Sequence, residues 1–219
     1  MEAIFLGTFD PPHRGHEICL ESIIDSGIME RLGIEHIHLI PAWCNPNKHT
    51  LTSFTDRYRM CFKMIAHNDK LVYRVFLDDI ECVYEPSFTF QLIDEIKAGH
   101  DDYVKPNFWW IITEETLGEL IRGEWKRSKQ LLENNRFILL VDEEISDDVK
   151  EWTEAHKDQV EIVKLIEHID VHSTDIRNIL LDRSNLHRIS DLEKICWTSV
   201  HVLNYIVSEG LYLKKSDNV

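Results

Sequence analysis

The chain has no C-x-x-C pair, no apolar run approaching ~20 residues, no internal repeat and no low-complexity tract. Each absence excludes a class of protein. The cysteines, Cys19, Cys44, Cys61, Cys82 and Cys196, are odd in number and scattered, which argues against a disulfide framework or zinc ribbon and for a reducing compartment. Without a long apolar run no membrane span is expected. The chain opens almost directly into a strand, so no signal or transit peptide is visible and a cytoplasmic location is expected. Positive charge is in deficit too: 24 Lys and Arg against 39 Asp and Glu give a formal net charge of −15. So acidic a surface is a poor holder of a nucleic-acid backbone or an anionic membrane, and neither is expected as a partner. A nucleotide needs only a local cluster of donors, usually with a divalent cation to shield its phosphates.

What is present is an ordinary globular composition, 43% hydrophobic and 29% charged over 219 residues, enough for one α/β domain with a sizeable core. No linker interrupts it, so residues 1–219 are expected to form a single domain, with a helical C-terminal part over about 173–213. Ala3-Ile4-Phe5-Leu6 reads as a buried strand, and Leu20, Ile23, Ile24 and Ile28 recur at helical spacing over 13–29. Between them lies Gly7-Thr8-Phe9-Asp10-Pro11-Pro12-His13-Arg14-Gly15-His16, a strand-to-helix turn with Pro12 suited to a first helical turn. His13 and His16, three apart, share one face of that turn. Unpaired N–H groups and the positive dipole end at a helix start, together with two imidazoles, make a small site for phosphate oxygens, and Gly15 brings no side chain to hold a ligand away. A lone H-x-x-H is a common accident; this one stands among a glycine, prolines and a second glycine.

Ile34–Ile40 reads as a second strand, so the unit is βαβ with parallel strands and a right-handed crossover. The remaining pattern continues it. A helix is expected over 55–67 with Tyr58, Cys61, Phe62 and Ile65 inward and Arg57, Arg59 and Lys63 outward. Strands follow at 72–77, 107–112 (the most apolar, hence central), 136–141 and 160–166. Pro86-Ser87-Phe88-Thr89 opens a helix to Lys97 with Ser87 as its cap and Gly99 as its stop. Trp125 falls in a polar helical stretch, 122–129, and an acidic helix follows at 147–156. The expected architecture is α/β, a Rossmann-like doubly wound parallel sheet with helices on both faces, binding ligands beyond the carboxyl ends of its strands. In Val171-His172-Ser173-Thr174-Asp175-Ile176-Arg177, Ser173 or Thr174 is expected to cap a helix through Leu181. Arg177 lies one turn in, on the cap's side, a second corner for phosphate. The tail, 202–206 and Gly210-Leu211-Tyr212, reads as a helix with a glycine stop.

The motif G-T-F-D-P-P-H-R-G-H resembles the signature of the H-x-G-H nucleotidyltransferases, and its G-T-F-D-P form is most similar to the nicotinate (nicotinamide) mononucleotide adenylyltransferases. P-S-F-T, S-T-D-I-R, V-L-N-Y-I and G-L-Y resemble further motifs of that family, so the likeness runs from Gly7 to Tyr212. The resemblance implies adenylyl transfer from ATP to nicotinate or nicotinamide mononucleotide, giving deamido-NAD or NAD plus pyrophosphate. It implies that His13, His16 and Arg177 act on the ATP phosphates and that Gly7, Thr8, Phe9, Asp10, Gly15, Lys48, Ser173 and Thr174 surround them. Mg²⁺ is implied as a bridge between phosphates, held by their oxygens and water rather than by a carboxylate cage. Phe88, Thr89, Thr113, Glu115 and Trp125 are implied at the mononucleotide, with Trp125 either stacking on the pyridine or anchoring the core.

This chain departs from the family at several points. Phe88 replaces a tyrosine and loses its hydroxyl, and His172 replaces a serine. Thr113-Glu114-Glu115-Thr116-Leu117 stands where the family has G-x-D-x-L, adding a Cβ where close approach is wanted. Glu115, reaching the pyridine end, leans toward the amide, while the motif set leans toward the acid. Two alternatives stay open: another H-x-G-H enzyme, such as a phosphopantetheine adenylyltransferase, and a non-catalytic nucleotide-binding module. A homo-oligomer is neither implied nor excluded.

Overall fold

The structure is a computed structural model, and its described residues are 1–43, 52–85, 88–99, 107–142, 145–168, 170–181 and 197–212. The expectations for Lys48 and for Ser87 lie outside them. Six strands, β1 (Glu2–Gly7), β2 (His36–Pro41), β3 (Val75–Leu77), β4 (Phe108–Thr113), β5 (Phe137–Val141) and β6 (Val160–Lys164), form one sheet in the order β3-β2-β1-β4-β5-β6. Every pairing is parallel. The order reverses at β1 and β4, which places the ligand crevice of such a sheet beyond Gly7 and Thr113.

β4 shows why the sheet is covered twice. A parallel strand buried on both faces needs apolar residues at every position, and Phe108 to Ile112 supply them. Trp109 and Ile111 join Ala3, Phe5, Ile37 and Leu39 in one cluster, while Phe108, Trp110 and Ile112 join Ile4, Ile40, Phe137 and Leu139 in the other. The first cluster is roofed by α1 (Arg14–Asp25), α2 (Ile28–Leu32), α3 (Phe54–Ala66), α9 (Ser173–Leu181) and α10 (Val200–Ser208). The second takes residues of α4 (Ile80–Tyr84), α5 (Thr89–Lys97), α6 (Glu114–Ile121), α7 (Ser128–Asn134) and α8 (Asp147–Ala155). Among the described residues no helix is long and apolar enough to cross a membrane.

Four local expectations are corrected. The helix expected over 13–29 stops at Asp25, because Gly27 at φ 71° turns the chain into α2 and the Ser26 hydroxyl bonds Ile23 O and Ile28 N–H. α3 is rotated by one residue from its expected phase: Arg57 is 1% exposed beside Met60, Cys61 and Met64, whereas Phe62 is 60% exposed. Val72 and Tyr73 belong to a turn closed on Asn68, whose backbone oxygen accepts from Leu71 and Val72 N–H, so the third strand begins only at Val75. The stretch around Trp125 is a turn between α6 and α7, entered at Gly123 with φ 75°.

Candidate active site

The loop from Thr8 to His13 leaves β1 and enters α1. Phe9 adopts the left-handed region at φ 52° and folds its buried ring back over Gly7, where a Cβ would stand 2.6 Å from Phe9 Cζ. Glycine is therefore required there by packing. The Phe9 ring also meets His16 edge-on, with centroids 4.8 Å apart, so it forms the floor of the corner.

His13 is the N-cap of α1, and its ring lies 3.8 Å from that of His16 between centroids. His16 Nδ1 accepts the His13 backbone N–H at 3.1 Å. An accepting Nδ1 in a neutral imidazole leaves the proton on Nε2, so His16 is set as an Nε2–H donor. His13 is buried, and its Nδ1 has no hydrogen-bond partner. Burial, helped by the neighbouring His172, lowers its pKa to about 4, so the ring is neutral at pH 7. A Cβ at Gly15 would crowd His13 Cε1 and Nδ1 at 3.1 Å and meet Val171 Cγ1 at 3.5 Å. Gly15 thus lets the His13 ring and the segment before α9 close on the helix start.

Backbone donors contribute less than the sequence suggests. The Arg14 N–H is taken by Trp197 O at 2.7 Å and that of His13 by His16. Among the described residues, two imidazoles and an arginine are the distinctive side-chain donors at this turn.

The loop's carbonyls are held by side chains from distant elements. Arg57 Nη1 donates to Thr8 O (2.9 Å), Arg177 Nη1 to Asp10 O (2.7 Å), Ser173 Oγ to Pro11 O (2.9 Å) and Thr198 Oγ1 to Pro12 O (2.8 Å). The buried Asp10 carboxylate accepts from Thr52 Oγ1 and Tyr212 Oη, each at 2.6 Å on Oδ1. Burial and the Asp10 charge push the Tyr212 phenol far above its ordinary range, so it is a permanent donor. Tyr212 is delivered by the end of α10, where Gly210 at φ 65° and the bonds Gly210 N–H to Val207 O and Leu211 N–H to Ile206 O make a Schellman stop.

Arg57 is a buried cation behind the loop, its Nη2 donating to Trp43 O at 3.1 Å. Desolvation lowers its pKa, partly offset by Asp10 and Glu81. The Glu81 carboxyl accepts the Trp43 N–H and is pushed up to about 7 by burial.

The structure thus brings His13, His16, Gly15, Asp10, Ser173, Thr174 and Arg177 together. Ser173 and Thr174 do not cap α9: His172 O accepts from Asp175 and Ile176 N–H, so His172 holds the cap position and Ser173 Oγ turns to Pro11. Thr174 Oγ1 accepts from Arg177 Nη2 at 2.9 Å. Arg177 has two of its five N–H donors in these contacts. Phe88 is the N-cap of α5.

The second group lies at the other half of the sheet. Thr113 caps α6, its Oγ1 accepting from Thr116 N–H at 3.4 Å, and Glu115 is exposed in that helix's first turn. Trp125 is half-buried, 6.3 Å from Trp110 between centroids, with Nε1 donating to Glu119. Phe88 and Thr89 are half-buried at the start of α5, and Lys126 Nζ stands 4.2 Å from the Phe88 ring centre. Phe88 and Trp125 pack on the second cluster, whereas Phe9 and Ile176 belong to the first.

Sequence reasoning missed Arg57, Thr52, Thr198 and Tyr212 as supports of the loop. Only Arg57 carried a local signal, since Arg57, Met60, Cys61 and Met64 fall at i, i+3, i+4 and i+7.

Fold and site together define a doubly wound parallel α/β sheet whose β1–α1 turn gathers two imidazoles and an arginine. The chain belongs to the Cytidylyltransferase-like family, whose model matches residues 4–179. A protein of Geobacillus thermodenitrificans named "Probable nicotinate-nucleotide adenylyltransferase" is 32% identical over 138 residues, 62% of this chain and 57% of that protein. The chain therefore matches little more than half of that relative's length. A protein of the same name from Leptospira interrogans is 27% identical over 217 residues, 98% of each chain. A solved structure of the Plasmodium falciparum nicotinic acid mononucleotide adenylyltransferase complexed with NaAD is similar in fold, with a TM-score of 0.75 at 21% identity over 96% of each chain.

Proposed function

We propose that this chain transfers the adenylyl group of ATP to the phosphate of nicotinate mononucleotide, giving deamido-NAD and pyrophosphate. The observation that carries the reading is the joined corner: His13 and His16 at the start of α1, with Arg177 of α9 tied to the same loop through Asp10 O. Three nitrogen donors around one turn suit a polyphosphate. A mononucleotide oxygen attacks the α-phosphorus in line; a P–O bond forms there as the bond to the pyrophosphate oxygen breaks, and no covalent protein nucleophile takes part. His16 donates from Nε2 to a phosphate oxygen, the neutral His13 ring lines the corner beside it, and Arg177 presents its remaining N–H groups.

Nicotinate is favoured over nicotinamide by the names of the Geobacillus and Leptospira relatives and by the cationic Lys126–Arg127 turn beside Phe88 and Phe90. Mg²⁺ fits this corner only as an ion carried in on the phosphates. Asp10 is the carboxylate of the loop, and its Oδ1 already accepts from two hydroxyls. The ion supplies charge shielding when bound, and no side chain is assigned to it.

The test is pyrophosphate release from ATP and Mg²⁺ with each mononucleotide in parallel, wild type beside His16→Ala. Release with nicotinate mononucleotide that falls by about 10²–10³ in the variant is expected. Absence of release with either mononucleotide sinks the proposal.

A further inference from the structure

The amino ends of β1 and β2 carry a cluster at the opposite edge of the sheet from the phosphate corner. Glu2 pairs in register with His36, so their side chains rise from the same face, and His38, two residues on, shares it. One ligand atom each from Glu2, Glu35 and His36 lie within 4.8 Å of one another. Glu2 Oε2 is 3.7 Å from His36 Nδ1 and 3.5 Å from His38 Nε2.

Glu2 sets this cluster apart from a chance gathering of polar groups. The residue is 5% exposed, and its Oε2 is buried without a hydrogen-bond partner. A desolvated carboxylate oxygen without a partner calls for a cation. His38 stands behind Glu2, its Nδ1 donating to Asp78 Oδ2 at 3.1 Å and its Nε2 facing Glu2 Oε2 at 3.5 Å. On the outer side the His36 ring is held against Phe76, centroids 4.4 Å apart, and both His36 and Glu35 reach solvent, which gives an entry path.

We infer that Glu2, Glu35 and His36 bind a divalent transition-metal ion of the zinc type, with Asp78-held His38 behind Glu2. Two carboxylates and an imidazole suit such an ion, whereas Mg²⁺ and Ca²⁺ prefer oxygen throughout. Bonds of about 2.0–2.2 Å in a tetrahedron set ligand atoms roughly 3.3–3.6 Å apart, so the 3.7 Å between Glu2 and His36 closes with little movement. The Met1 ammonium, 3.5 Å from Glu35 Oε1, must yield that oxygen. The bound ion ties the starts of two central strands together and stabilises the folded chain.

The test uses the full chain stripped of metal, titrated with Zn²⁺ in competition with a chromophoric chelator, and melted with and without Zn²⁺. Glu2→Gln and His36→Asn stand beside wild type, with His201→Ala as control. His201 stacks on His67 at 3.5 Å, a rival histidine pair at the α3–α10 contact. Expected is one equivalent of Zn²⁺ in wild type and His201→Ala, with a raised melting temperature. Binding in the other two variants weakens by about tenfold or more. His36 is partly exposed, so His36→Asn keeps the test open if Glu2→Gln does not fold. No stoichiometric uptake by wild type overturns the inference, as does uptake unchanged in His36→Asn or lost in His201→Ala.

Discussion

The turns that leave β1 and β4 lie side by side at the carboxyl edge of the sheet, yet they are built in opposite ways. After β1, the oxygens of Thr8, Asp10, Pro11 and Pro12 are each held by a side chain at least 42 residues away in sequence. After β4, Thr113 is satisfied by Thr116, three residues on, and Glu115 stands in solvent. The first turn is held from across the chain, which is the preorganisation that the proposed phosphate chemistry requires. The second is a helix start whose Thr113 is held locally, with one longer tie where Glu114 Oε1 accepts from Ser146 N–H at 2.8 Å. This explains how the chain carries Thr113 and Glu115 where its resembled family has glycine and aspartate without disturbing the fold.

The broadest break of this comparison is to delete one side chain at each turn. His16→Ala is expected to lower turnover by about 10²–10³, whereas Glu115→Ala changes it by less than about tenfold, each read as kcat and KM for pyrophosphate release with folding checked by circular dichroism. Comparable losses would erase the distinction. Next in size is the support of the β1 turn. Asp10→Ala leaves Thr52 Oγ1 and Tyr212 Oη buried without their acceptor and is expected to cost about 2–4 kcal/mol in urea denaturation. Tyr212→Phe removes one of the two bonds and costs about half as much.

A third prediction concerns pH. The His13 pKa falls from 6.5 in the unfolded chain to about 4 in the folded one, so the unfolded chain binds more protons between those values. Its contribution is fully present above pH 6.5 and is lost as pH falls toward 4, on the order of 1–3 kcal/mol. Glu81, raised to about 7 by burial, works in the other direction. The measurement is therefore the difference in urea midpoint between wild type and His13→Gln at pH 7 and pH 4.5, and wild type should lose more on acidification. The smallest effect belongs to the β4 turn: Thr113→Gly restores the family's residue, changes stability by under about 1 kcal/mol and lowers the KM for the mononucleotide. A higher KM would show that the threonine hydroxyl, not its bulk, matters there.

The gathering of His13 and His16 at the start of α1 was legible because its residues are neighbours in sequence. Gly7, His13, Gly15 and His16 lie within ten positions, so strand, turn and helix periodicity alone put both imidazoles on one helix face. The reading of α3 failed for a physical reason. Two apolar stripes, one residue apart in phase, compete in that segment, and charge alone sends arginine to solvent, whereas its long stem and carbonyl-seeking head suit a buried position with two acceptors. The polar neighbours of Trp125 continue a helical pattern, but Gly123 in the left-handed region ends the helix before it. Ser173 has the composition of a cap, yet its hydroxyl serves a carbonyl 162 residues away.

By itself the sequence determined the alternation of strands and helices, the central place of β4 and the composition of the β1–α1 turn, because those follow from spacing over a few residues. Only the tertiary structure decided what holds that turn. Thr198 and Tyr212 reach it across 186 and 202 residues, and the sheet's winding brings α9 and α10 back over α1. The same winding sets Glu2 beside His36 at the far edge. Such contacts arise from layers closing on a shared core, and no local spacing records which distant side chains meet there.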